Sequence, residues 1–149
     1  MDFKSATMEH KTRVAIKMSA LAREMTRRGN IHDNSKFKTP EVEIYSAHFN
    51  ELNKSKYGTP EYDKALSNIK PALDHHYESN DHHTQHFEDG IFDMNLVQIL
   101  EMLCDISVAA ESKGNDVIKE LPNWMARNDV PENYYKILRN TLEHIKELW

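Results

Sequence analysis

Cysteine is nearly absent from this 149-residue chain: Cys104 is the single one and it sits in an apolar run. That excludes an internal disulfide and a thiolate zinc cluster, so any metal falls to imidazole and carboxylate ligands. Glycine (four) and proline (five) are also scarce, which leaves long stretches without a chain breaker. Strand-type runs of Val, Ile and Thr are missing as well. No segment approaches the roughly 20 consecutive apolar residues that span a bilayer, and residues 1–13 lack the apolar core of a signal peptide. The expectation is a cytoplasmic protein with no membrane partner. There is no glycine loop of the kind that cradles phosphate, which argues against a P-loop kinase or NTPase. An excess of positive charge is missing too. Nineteen Lys and Arg against 24 Asp and Glu give a net charge of −5, too acidic for a general nucleic-acid binder, whose affinity rests on clustered cations. Lys11, Arg13, Lys17, Arg23, Arg27 and Arg28 along the first helix read as an ordinary solvated face. The length fits one domain over residues 1–149.

Histidine, by contrast, is plentiful and clustered. Of nine, His75, His76, His82, His83 and His86 fall within twelve residues. Histidine is the commonest metal ligand, and crowded neutral imidazoles are costly unless something positive orders them.

The patterning is helical throughout, and about six helices are expected in an all-α bundle. Val14, Met18, Leu21 and Met25 recur at helical spacing within residues 5–28, with Gly29-Asn30 as a stop. Thr39-Pro40-Glu41 orders an N-cap, a first-turn proline and an acid, predicting a helix over 40–54 with Val42, Tyr45, Phe49 and Leu52 inward. Thr59-Pro60-Glu61 repeats that start and opens a helix with Leu66, Ile69 and Leu73 inward, which Pro71 should kink or restart. Asp93 is the expected cap of a long apolar helix through Met94, Leu96, Ile99, Leu100, Leu103, Ile106 and Ala110, ending near Gly114. A segment around residues 117–125, interrupted by Pro122, and a last helix from Pro131 carrying Tyr135, Leu138, Leu142 and Ile145 complete the chain. Trp124, Trp149 and the pair Tyr134-Tyr135 read as core or cover, with a homo-oligomeric interface as the alternative.

Three segments carry candidate metal ligands. The first is His32-Asp33; taken alone, Asp33 or Asn34 also serves as a turn cap. In the second, His76 continues the stripe of Leu66, Ile69 and Leu73, so its ring should point inward, with His75 beside it and His82-His83 five residues on. The third is Glu101 and Asp105, one helical turn apart on the apolar helix, where a carboxylate needs either a cation from another helix or a metal. One cation held by all three would satisfy acids and imidazoles together.

His32-Asp33-Asn34-Ser35-Lys36 resembles the His-Asp-x-x-Lys signature of the HD-domain metal-dependent phosphohydrolase superfamily, all-helical enzymes in which that His and Asp bind metal. The resemblance implies that Asp105 completes the site and that His75, His76, His82 and His83 add ligands where more than one ion is bound. His32 to Phe37, Glu41, Tyr45, His75-His76, Asn80, His82-His83, Glu101-Met102 and Asp105 also resemble, in order, a family of short phage and bacterial proteins of uncharacterised function, over roughly residues 8–112. HD enzymes take a first histidine from an earlier helix. Here His10 would stand about 27 Å from the end of an unbroken helix, so it is read as a core histidine outside the site.

What the superfamily resemblance implies is hydrolysis of a small phosphate ester, a nucleotide first among them. The cofactor would be one or more divalent ions (Mn, Fe, Co, Ni, Zn or Mg) that lower the pKa of a bound water. Lys36 would meet the phosphate and Glu41, or a spare histidine, would pass a proton to the leaving oxygen. The plainer roles are a surface lysine and a favourable first-turn acid. Two other classes compete: an HD-type di-iron oxygenase, because mixed His and carboxylate ligands suit iron, and a non-catalytic helical binding or inhibitory protein, phage-encoded, with a structural metal.

Overall fold

A computed structural model describes residues 2–54 and 59–148, without the side chains of Leu52 and Asn53. Leu52, expected inward, and Trp149, a candidate interface residue, therefore lie outside the described side chains. The chain is all-helical, with six α-helices and no strand among the described residues: α1 (Phe3–Ile31), α2 (Glu41–Lys54), α3 (Pro60–Ser79), α4 (Leu96–Glu111), α5 (Val117–Arg127) and α6 (Tyr135–Lys146). Short 3-10 turns occupy Asn34–Phe37, Thr84–His86, Gly90–Asp93 and Glu132–Tyr134. None of the described helices is long and apolar enough to cross a membrane. Two compact units are distinguished, Met1–His32 and Asp33–Trp149.

The first unit is α1. Asp2 caps it by accepting from the Ser5 backbone N–H at 3.0 Å. The helix does not stop at Gly29-Asn30 but runs to Ile31, with His32 as C-cap residue. The left-handed residue that turns the chain is Asp33 (φ 57°), so the expected glycine stop is corrected. No residue of α1 is buried. Val14, Met18 and Leu21 are 41, 65 and 55 % exposed. A seam of alternating three- and four-residue steps is narrower than the broad apolar stripe that faces a core, and basic residues flank it. His10 is exposed, which corrects its reading as a core histidine.

In the second unit Thr59 caps α3 by accepting from Tyr62 N–H at 3.3 Å, with Pro60 in the first turn as its sequence predicts. Pro71 does not restart this helix. Both Pro71 and Ser67, whose carbonyl loses its donor, are exposed, and solvent can satisfy that carbonyl. The Thr39–Pro40 bond is cis and α2 begins one residue later than expected, at Glu41; the Thr39 hydroxyl donates to Glu43 at 2.7 Å. Since α2 packs chiefly against α3 and the Asn34–Phe37 turn, Phe49 is left 62 % exposed rather than inward. Asn95, not Asp93, caps α4. Its Oδ1 accepts from the Val97 and Gln98 N–H groups while Gln98 Oε1 accepts from the Asn95 N–H at 2.8 Å, a reciprocal box that Asp93, three residues before Leu96, cannot form.

The main core lies where α4, α5 and α6 pack on one another. Ile99, Met102, Leu103, Val117, Leu121, Met125, Leu138, Leu142 and Ile145 are buried there. Leu121 has no exposed surface, so Leu121→Ala should destabilise the fold by about 2–5 kcal/mol, read as a lower midpoint in urea with an unchanged slope. Full retention of the midpoint would contradict this core assignment.

Candidate metal centre

Asp33 opens the site. Its φ is positive, a conformation that aspartate visits more readily than most residues, and the following 3-10 turn closes with Lys36 N–H donating to the Asp33 carbonyl at 2.9 Å. One carboxylate oxygen, Oδ2, accepts from Lys36 Nζ at 2.5 Å. The other, Oδ1, lies 3.3 Å from His76 Nε2 and 3.4 Å from His82 Nε2. His76 Nε2 is in turn 2.9 Å from His83 Nε2. Asp33, His76, His82 and His83 thus converge, each offering one ligand atom within 4.8 Å of the others.

These spacings suit a single ion. Two ligand atoms each about 2.1 Å from one metal stand about 3.0 Å apart at a right angle and about 3.4 Å apart at the tetrahedral angle.

The opposite edge of each buried imidazole is held by a carboxylate. Glu41, in the first turn of α2 and fully buried, lies 2.9 Å through Oε2 from His76 Nδ1 and 2.7 Å through Oε1 from His75 Nδ1. Glu101 on α4 lies 3.3 Å from His82 Nδ1. With Nδ1–H donated to a carboxylate, the Nε2 lone pair is left for a metal, the arrangement that fixes tautomer and ring angle at His-ligated sites. Asn80 braces the same corner, donating to Ser35 Oγ and to the His76 carbonyl, both at 2.7 Å.

Titration follows from this packing. Burial alone would raise Glu41, but hydrogen bonds from His75, Ser35 and His76 more than reverse it and hold the carboxyl below its ordinary value. Burial pushes His76 down despite the nearby Asp33 charge. It pushes His83 down too, reinforced by His82 and His76. Both therefore favour the neutral, ligating form near neutral pH. Tyr45 is raised by burial and by Glu41, and Cys104 by burial with Glu101 and Asp105 behind it. A half-buried thiol held in its protonated form in this way is a poor nucleophile.

The residues expected from sequence distribute unevenly around this cluster. Asp33, His76, His82 and His83 meet. His75 faces Glu41, and Glu101 stands behind His82. Asp105 is half-buried and lines, with His83, a cavity of about 670 Å³. His32 ends the first unit as the C-cap residue of α1. His86 stands apart from the cluster, its Nδ1–H donating to the Tyr77 carbonyl at 2.8 Å and its ring edge-on to Phe87. Lys36 is engaged with Asp33. Sequence reasoning missed Ser35 as a brace, and it missed Arg127, Trp124 and Tyr77 on the cavity wall; nothing in their local spacing marks them.

No curated protein and no solved structure matches the chain. One family model does, over residues 1–148, and the chain therefore belongs to that family, the Family of unknown function (DUF5662).

Proposed function

We propose that the protein is a metal-dependent phosphohydrolase acting on a small phosphate ester, a nucleotide first among them. The observation that carries this reading is the convergence of Asp33 Oδ1 with His76, His82 and His83, two of those rings backed by buried carboxylates. Asp33, His76, His82 and His83 hold one divalent ion. The resemblance to the HD superfamily adds Asp105, on the wall of the adjoining cavity, as a further ligand. Manganese, iron, cobalt, nickel, zinc and magnesium all suit a mixed nitrogen and oxygen donor set. Such an ion supplies a hydroxide-like nucleophile at neutral pH and neutralises charge on phosphorus.

The chain's own residues do the rest. Glu41 and Glu101 orient His76 and His82. Glu41 is too enclosed to meet a leaving group, so its role is positioning rather than proton transfer. Lys36 acts through Asp33, holding its Oδ2 so that Oδ1 faces the rings. His75, half-buried and within hydrogen-bond distance of Glu41, is the histidine best placed to carry a proton outward.

Incubating the manganese-loaded chain with p-nitrophenyl phosphate and a nucleoside monophosphate panel tests the reading. Phosphate release is expected with at least one substrate, and Asp33→Asn or excess chelator should lower it by at least about 1,000-fold. Release that is indifferent to both, or none from a chain carrying its ion, would contradict it and favour a closed, structural site.

A further inference from the structure

Beside the cluster lies the 670 Å³ cavity, a size suited to one small organic ligand. His83 and Asp105 form part of its wall, so one end of it adjoins the candidate metal centre. Residues 112–116 join the two helices that flank it, α4 and α5. Asp105 and Ala109 follow at a four-residue step along the α4 wall, and Lys113 lies in the turn just past the end of that helix. On the α5 side Glu120, Trp124 and Arg127 line it, Arg127 being the last residue of the helix. A direct bond pins that end. Gln85 Nε2 donates to Asn128 Oδ1 at 2.7 Å, which fastens the last turn of α5 to the chain two residues past His83.

We propose that Arg127 is the residue that binds the substrate phosphate at the metal end of this cavity, and that Trp124 and Tyr77 receive a planar aromatic group attached to it. This rests on the phosphohydrolase reading and assigns the phosphate to a residue of the cavity wall in place of Lys36. The guanidinium is suited to that task because it offers two parallel donors to phosphate oxygens and stays charged at every working pH. Asp105 on the same wall repels a phosphate, so Arg127 and the divalent ion must act together to admit one. Tyr77 is already edge-on to His83, with ring centroids 5.1 Å apart, so a ring resting on it lies next to the centre. Lys113, in the turn after α4, also lines the cavity and is given no part in holding the phosphate.

The test is calorimetric titration of the manganese-loaded chain with three ligands: the non-hydrolysable phosphonate analogue of adenosine 5′-monophosphate, inorganic phosphate, and adenosine. The analogue should bind more tightly than either part alone. Arg127→Ala should weaken the analogue and phosphate by at least about tenfold and leave adenosine and the manganese content unchanged. Arg127→Lys should restore part of the loss, and Lys113→Ala should cause none. A merely structural Arg127 would not separate adenosine from phosphate in this way. Equal affinities in wild type and Arg127→Ala, an equal loss in Lys113→Ala, or no binding of any ligand to a chain that retains its ion would overturn the pocket assignment while the metal reading stands. A chain that takes up no ion overturns both.

Discussion

Replacing His76 with alanine is expected to empty the metal centre. His76 supplies the Nε2 nearest to both His83 and Asp33 and is itself the ring that Glu41 orients. After equilibration with manganese and dialysis, elemental analysis of the wild type should give about one to three ions per chain, as mixed His and carboxylate sites of this class hold. The variant should retain fewer than about one tenth of them. His86→Ala is the matched control. It removes a histidine from the same segment, but one that meets the Tyr77 carbonyl and the Phe87 ring and lies outside the cluster, and ion content should be unchanged. Equal loss in both variants would mean that the histidine-rich segment binds metal loosely through its surface, and retention in both would remove the centre altogether.

Glu41→Gln should separate positioning from proton transfer. Glutamine keeps the shape but cannot accept from both imidazoles with a full charge, so ion affinity should fall about 10- to 100-fold, the usual cost of losing the group behind a metal-bound histidine. At saturating ion, turnover should recover most of its wild-type value with its pH profile in place. Were Glu41 the acid that protonates the leaving group, turnover would stay low at any ion concentration and one limb of the profile would disappear. Glu41→Ala is a harsher change. It leaves two imidazoles without their shared partner in a fully buried position, and a loss of about 3–5 kcal/mol in stability is expected, measured by urea unfolding.

Much of this could be read in the sequence because it is written locally. Thr59-Pro60 marks a helix start, Gly114 (φ 69°) marks a stop, and the periodic Leu138, Leu142 and Ile145 do turn inward. His76 is legible for the same reason: it extends the stripe of Leu66, Ile69 and Leu73, and it is 3 % exposed. The failures have physical causes of the same scale. A lone glycine stop at Gly29 lost to continued helix, and the cap at Asp93 lost to Asn95, which has Gln98 in reach to reciprocate. The narrow seam of α1 looked like a core face and is not buried.

The site was legible as a set of ligand types but not as a geometry. His82 and His83 fall in an aperiodic stretch where no spacing rule fixes a ring, and they are aimed by contacts with Glu101 and His76. Glu41 looks in sequence like a first-turn acid favoured by the helix dipole. Its partners lie 34 and 35 residues away, and only the packing of α2 on α3 brings them together. Arg127 is the last residue of α5 and reads locally as a cation completing a helix end; its neighbourhood to His83 is a matter of tertiary structure alone.

The central claim is that four named atoms form one metal site, and anomalous diffraction at the manganese edge, on crystals equilibrated with that ion, tests it most directly. The account predicts a peak about 2.0–2.2 Å from Asp33 Oδ1, His76 Nε2, His82 Nε2 and His83 Nε2, with Glu41 and Glu101 still on the Nδ1 edges of His76 and His82. A peak elsewhere, or ion-free density between these atoms in crystals that carry manganese, would contradict it.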